Sequence, residues 1–150
     1  MRVRPIELPD IVAWAAMRKK LWPEADIDDL SSKTREYVVD VTKSWLDAAF
    51  IAEDDDRKIL GFIELTIRAF SDGCDSMPVP HIEGWYVEPS ARKRGVGRAL
   101  IAAAETWSKG RGFTELASDT ETHNVDSQHA HQRIGFKEVD RIVKFRKVIA

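Results

Sequence analysis

At 150 residues, the chain has room for one domain, expected over 1–150, around a single core. Its 43% hydrophobic and 32% charged residues are the balance of an ordinary globular protein, and a formal net charge of −2 excludes a global attraction to nucleic acid. No apolar run approaches the ~20 residues that span a bilayer, and Met1-Arg2-Val3-Arg4-Pro5 lacks the apolar core of a signal peptide. The lone cysteine, Cys74, has no internal disulfide partner, so a reducing, cytoplasmic setting is expected.

Residues 2–6 alternate as an edge strand whose Pro5 donates nothing to a ladder. Pro9-Asp10 opens a helix with Ile11, Trp14, Met17 or Arg18, and Leu21 on one face. Trp22-Pro23 ends it, because a residue before proline leaves the α region. Glu24 to Asp29 reads as an acidic loop, and a second helix is expected over Lys33 to Asp47, with Tyr37, Val41 and Trp45 inward. Ala49–Ala52 and Ile59–Ile67, joined across Asp54-Asp55-Asp56, read as a hairpin. Residues 71–80 have the composition of a loop.

The next stretch, 81–110, carries the chemistry. His81 to Glu88 is a strand, Pro89 opens a turn, and a helix begins near Gly95 with Val96, Leu100, Ala103, Ala104 and Trp107 as its inner stripe. Gly110 and Gly112 stop the helix. The turn holds Arg92, Lys93, Arg94, Gly95, Val96, Gly97 and Arg98. Two glycines permit close approach to the backbone, the helix start offers unpaired N–H groups, and four cations crowd around it, which together suit a diphosphate. A dinucleotide fingerprint fails at Leu100, and a Walker loop fails at Gly97-Arg98-Ala99. A further strand is expected over Phe113–Ser118, a short helix over Asn124–Arg133 closed by Gly135, and a final strand over Lys137–Val148 with Val139, Ile142 or Val143, and Phe145 among its apolar positions.

Arg92, Gly95 and Gly97 in the pattern Arg-x-x-Gly-x-Gly, after a strand ending Val-Glu-Pro, resemble the acetyl-CoA signature of the GCN5-related N-acetyltransferases. The element order β–α–α–β–β–β–α–β–α–β is similar to that family along nearly the whole chain. The resemblance implies an α/β (α+β) fold: a mixed, mostly antiparallel sheet flanked by helices, with a V-shaped splay between the central strands. It implies acetyl-CoA as co-substrate and no metal. Backbone at Trp85, Tyr86 and Val87 would pair with the amides of the pantetheine arm, and an N–H near Val87 would stabilise the oxyanion.

Downstream, Asn124, Ser127, His131, Gly135 and Phe136 fall at the spacings of the family's Asn-x-x-Ala-x-x-x-Tyr-x-x-x-Gly-Phe. Asn124 fits both a pantetheine contact and a helix N-cap. His131 replaces the family's usual Tyr and is a candidate acid for the departing thiolate. Glu83 shares a strand face with Val87 by even spacing, and Asp119 ends the neighbouring strand, so both are candidate bases.

Finally, Arg18-Lys-Lys-Leu-Trp22-Pro23, Asp72-Gly-Cys-Asp-Ser-Met-Pro78-Val79, Ile82-Glu-Gly-Trp, Ala117-Ser-Asp-Thr120 and the run from His131 to Phe136 are together similar to the small homodimeric aminoglycoside 6′-N-acetyltransferases. That resemblance implies acetyl transfer to the 6′-amine of an aminoglycoside by a homodimer. It places acceptor contacts at Trp22, Phe70, Glu83, Asp119 and Asp140, and cofactor contacts at Trp85 to Val87, Lys93 to Arg98, and Asn124. Phe70 and Asp140 stand where relatives can carry Tyr and Glu. An acid-rich mouth formed by Glu24, Asp26, Asp28, Asp75, Glu83, Asp119 and Asp140 would draw a polycation. The same fold acting on a polyamine or a protein N-terminus, and a non-enzymatic coenzyme A-binding module, are the alternatives.

Overall fold

The computed structural model describes residues 1–150. Five strands, β1 (Arg2–Pro5), β2 (Ala48–Glu53), β3 (Ile59–Arg68), β4 (Val79–Val87) and β5 (Ala117–Ser118), form one sheet in the order β1-β2-β3-β4-β5. Neighbours pair antiparallel up to β4, and β4 pairs parallel with β5. Four α-helices, α1 (Ile11–Leu21), α2 (Ile27–Val39), α3 (Val96–Gly110) and α4 (Val125–Ile134), complete the fold. The mixed, mostly antiparallel sheet is the one the sequence implies.

Each face of the sheet has its own apolar layer. Ile63 and Leu65 of β3 and Ile82 of β4 pack against Val96, Leu100, Ile101 and Ala104 of α3. Ile51, Phe62 and Tyr86 pack on the opposite face against Trp14 and Met17 of α1. The Met17-or-Arg18 ambiguity in α1 resolves as both: each is buried, Met17 in the apolar layer and Arg18 against Glu64 of β3. Trp22, before Pro23, leaves the α region at φ −124° and ψ 77° and closes α1.

The second helix starts earlier than its apolar residues suggest. Asp26 accepts hydrogen bonds from the N–H groups of Asp28 and Asp29, so the acidic stretch is the cap and first turn of α2. Asp40 then ends the helix and caps a short 3-10 turn through the N–H of Thr42. The buried residues of α2 are Leu30 and Thr34, while Val41 and Trp45 are exposed beyond its end.

Two irregularities shape the site. Glu64 pairs with Gly84 and Leu65 with Ile82, which leaves Glu83 as an extra residue in β4. This β-bulge breaks the strand's alternation. Glu83 therefore joins Thr66 and Arg68 of β3, while Val87 packs in the α3 layer, and the shared face expected from even spacing is not formed. Next, β4 and β5 pair only at His81↔Ala117 and Ile82↔Ser118. Past Ile82 the strands part, leaving the β5-facing edge of β4 without a ladder.

The strand expected over 113–118 contracts to those two residues, the only ones that pair with β4, and Glu115 before them faces the preceding loop. Its carboxylate accepts from the Ser76 N–H (2.6 Å) and hydroxyl, tying down the preceding loop. No strand forms over 137–148, since an isolated strand has no neighbour for its backbone. Val139, Ile142, Val143, Phe145, Val148 and Ile149 are consequently exposed, Phe145 at 92% and Ile149 at 90%.

Candidate active site

The turn between β4 and α3, where a diphosphate is expected from the sequence, leaves the start of the helix without a side-chain cap. Gly95 stands at the helix N-cap with φ +82°, no side chain caps the helix, and the Ala99 N–H bonds to the Gly95 carbonyl. The amides of Val96, Gly97 and Arg98 lie before that bond, in the turn where a helix has no internal acceptors. A side chain at Gly95 would meet nothing within 4 Å, so its glycine serves the left-handed backbone and leaves the approach open. Gly97 has a different reason. A Cβ there would stand 3.0 Å from Cζ2 of Trp85, so this glycine lets α3 pack on the indole. Gly97 thus has a packing reason to be glycine in addition to the ligand approach expected from the sequence.

The cations divide into two kinds. Arg92 donates from Nε to the Val87 carbonyl at 3.0 Å and lies over the Tyr86 ring, and Arg98 donates to the Arg133 carbonyl at 3.3 Å. Exposed Lys93 and Arg94 make no ion pair within the chain. The side chain of Val96 is buried in the α3 layer.

Along the parted edge of β4, half-buried Trp85 meets His131 edge-on, with ring centroids 5.1 Å apart. His131 also packs edge-on to Phe136. Its Nδ1 lies 2.7 Å from the Ser127 carbonyl and its Nε2 2.8 Å from Ser118 Oγ. A carbonyl can only accept, so Nδ1 carries a hydrogen; in the neutral ring Nε2 then accepts from the Ser118 hydroxyl, and in the imidazolium it donates to Ser118 Oγ. Asn124 uses its side chain as the N-cap of α4, accepting from the Ser127 N–H at 3.1 Å.

Glu83 accepts from the Thr66 hydroxyl at 2.5 Å and, at 2.8 Å to each oxygen, from Nε and Nη2 of Arg68. Beside it is His81, which sequence reasoning missed. Its imidazole is 1% exposed, with Nδ1 3.4 Å from Glu83 Oε1 and Nε2 3.5 Å from Asp119 Oδ2. Burial alone would raise the Glu83 pKa, but His81, Arg68 and Thr66 outweigh it and hold the carboxyl far below the usual range. His81 likewise holds the Asp119 carboxyl low. Burial pushes the His81 imidazolium down, yet Asp119 and Glu83 overcome it and raise its pKa above the ordinary value. A signal for His81 was present in the sequence: a histidine two residues before a strand glutamate. Regular alternation would also have put them on one face, but the bulge hid which face that was.

Residues 12–136 match the model of the acetyltransferase (GNAT) family. The chain belongs to that family. Among its relatives, an aminoglycoside N(6')-acetyltransferase type 1 of Klebsiella aerogenes is 45% identical over 97% of this chain and 95% of its own. One of Stenotrophomonas maltophilia is 40% identical over 96% and 91%. Among solved structures, AAC(6')-Iy in complex with the bisubstrate analogue CoA-S-monomethyl-acetylneamine superposes with a TM-score of 0.88 at 38% identity, covering 99% of this chain and 98% of that one.

In this acetyltransferase the remaining residues expected to meet the acceptor, together with His131, fall in two places. Phe70, Asp119, Asp140 and His131 line a single cleft of about 590 Å3 between the end of β3, α4 and the segment 136–144. Trp22 lies apart from it, over Gly84: its Cη2 is 2.8 Å from where a Cβ on that glycine would stand. The mouth is not dominated by acid. Asp72, Asp119, Glu138 and Asp140 are matched in the lining by Arg68, Lys137, Arg141 and Lys144. Asp26 and Asp28 belong to the start of α2 instead. Counting acids along the chain missed the bases that 137–144 brings in.

Proposed function

We propose that this chain transfers the acetyl group of acetyl-CoA to the 6′-amine of aminoglycoside antibiotics and so confers resistance to them. The observation that carries the reading is its 45% identity, over 97% of its length, to an aminoglycoside N(6')-acetyltransferase. An open left-handed Gly95, free first-turn amides in α3 and an unpaired β4 edge are what a diphosphate and an amide-bearing arm require.

The amides of Gly95 to Arg98 hold the diphosphate, with Lys93 and Arg94 as free cations. Arg92 braces the turn against Val87. The backbone of Trp85, Tyr86 and Val87 receives the pantetheine amides, and the cap at Asn124 fixes α4 beside that arm. Bound acetyl-CoA supplies the acetyl group as an activated thioester. Asp119 and Asp140 on the cleft wall receive ammonium groups of the acceptor, with Glu83 behind Arg68 as a further contact, Phe70 offers an apolar face for a sugar ring, and Trp22 closes the far side over Gly84. His131 is the candidate acid on the leaving side: as an imidazolium it carries a proton on Nε2, the nitrogen beside Ser118 Oγ.

The whole chain acts as one domain. Two copies form a homodimer through residues 137–149, whose exposed Ile142, Val143, Phe145 and Val148 support a strand that is completed by a partner. A lone Cys74 and the need for acetyl-CoA support a cytoplasmic setting.

Release of free thiol from acetyl-CoA tests the reading, with kanamycin, spermidine and an N-terminal peptide as parallel acceptors. Turnover with kanamycin is expected to exceed the others by orders of magnitude. Turnover confined to the peptide or to spermidine would replace it with the corresponding alternative.

A further inference from the structure

An aminoglycoside amine arrives largely as an ammonium and must lose a proton before its lone pair is free. Glu83 is a poor base for this, since Arg68 and Thr66 already hold both its oxygens as a carboxylate. Asp119 is 63% exposed and open to the acceptor, but it too is held as a carboxylate. Between them stands His81, fixed on β4 at the His81↔Ala117 pair, next to the point where β4 and β5 part. Its Nδ1 is buried without a hydrogen-bond partner.

We propose, on the basis of the acetyl-transfer reading, that His81 stores the acceptor's proton, taking it through Asp119 while Glu83 steadies the charge. An N–H bond of the ammonium breaks and the proton passes to Asp119 Oδ2. The proton of the resulting carboxylic acid passes on to the neutral Nε2 of His81, 3.5 Å away. The amine keeps the electron pair, and the positive charge moves from ammonium to imidazolium. The charged groups facing His81 are Glu83 on β4, Asp119 beyond β5 and Arg68 on β3. The two carboxylates outweigh the arginine, which raises the imidazole's basicity towards that of the amine. His81 acts through Asp119 and is in this sense a positioning and proton-storing residue.

The test is the pH dependence of kcat/KM for kanamycin in the parent and in His81→Gln, with circular dichroism to establish folding. The parent is expected to gain activity as His81 loses its proton. His81→Gln should be slower by about a hundredfold near pH 7, the lower end of what a proton-transfer group contributes. The deficit should shrink to a few-fold near pH 9, where free amine is abundant. A merely structural loss would be the same at every pH, and parallel profiles would overturn the proposal. If the variant does not fold, 15N NMR of the parent's histidines with coenzyme A and kanamycin decides. His81 should move to imidazolium shifts when the acceptor binds, and a ring that stays neutral would refute the proposal. A parent with no turnover at any pH would refute the acetyl-transfer reading, and this inference with it.

Discussion

Arg18 Nε lies 3.3 Å from Glu64 Oε2, and both side chains are buried, at 3% and 0% exposure. The guanidinium also stacks over the rings of Trp14 and Trp22, with 5.7 and 5.2 Å to the centroids. The pair therefore ties α1, the sheet and the tryptophan over Gly84 into one unit. Neither Glu64 oxygen has a hydrogen bond, so the carboxylate is charged at considerable cost. Burial raises its pKa from 4.5 to about 7, against the opposing pull of Arg18.

A pH effect follows, with its sign fixed by linkage. The folded protein keeps a proton on Glu64 that the unfolded chain gives up near pH 4.5, so this group's contribution to stability is lost as pH rises from 4.5 to about 7. Glu64→Gln, which cannot titrate, should gain on the parent by about 3 kcal/mol across that window. Urea unfolding of both at pH 4.5, 6 and 8 measures it. A constant difference would contradict the assignment.

Removing only the cation should be costly. Arg18→Met leaves Glu64 alone in the interior, with an expected loss of up to about 3–5 kcal/mol at pH 8, where the parent's carboxylate is charged, and a smaller one at pH 6, where it holds a proton. The double variant Arg18→Met, Glu64→Met should recover much of that, and a double-mutant cycle reads the coupling.

The two glycines of the turn should respond differently. Gly97→Ala pushes on Trp85, 3.0 Å away, and should change tryptophan fluorescence and raise the KM for acetyl-CoA. Gly95→Ala finds space but must hold φ +82°, at a cost of about 1–2 kcal/mol with little change in fluorescence. Thermal unfolding and emission spectra of both variants separate the two causes.

Much of this was legible in the sequence. The inner face of α1, most of α3's apolar stripe and the β2–β3 hairpin follow from periodicity, and the turn into α3 follows from Gly95. Features that depend on another part of the chain were not legible. The bulge at Glu83 arises from pairing with β3, which no spacing within β4 reveals. Asp26 looked like loop because acids at a helix start are polar in sequence and become favourable only once a helix stands behind them. The packing reason for Gly97 was hidden because its neighbour, Trp85, is on another element. The segment 137–148 has the alternation of a strand and lacks the edge that would make it one.

That last point predicts an oligomer. Val143→Asp with Phe145→Asp should convert a dimer to a monomer in analytical ultracentrifugation, because both sites are exposed and no intrachain packing is lost. A parent that sediments as a monomer would remove the proposed role of this segment.

The acceptor carboxylates should separate kinetically. Asp140→Asn removes a charge from the cleft wall and should raise the acceptor KM about tenfold or more with kcat little changed, as expected for a charge-assisted contact of about 1.5–3 kcal/mol. Asp119→Asn removes a proton carrier as well, and should lower kcat. Equal effects on both constants from the two variants would argue against distinct roles.

The most direct measurement is the position of the acetyl group on the product. Kanamycin incubated with this protein and acetyl-CoA should yield, by NMR, a single product acetylated at the 6′-nitrogen, and an analogue bearing a 6′-hydroxyl should yield none. Acetylation at another amine, or equal turnover of the hydroxyl analogue, would contradict the account.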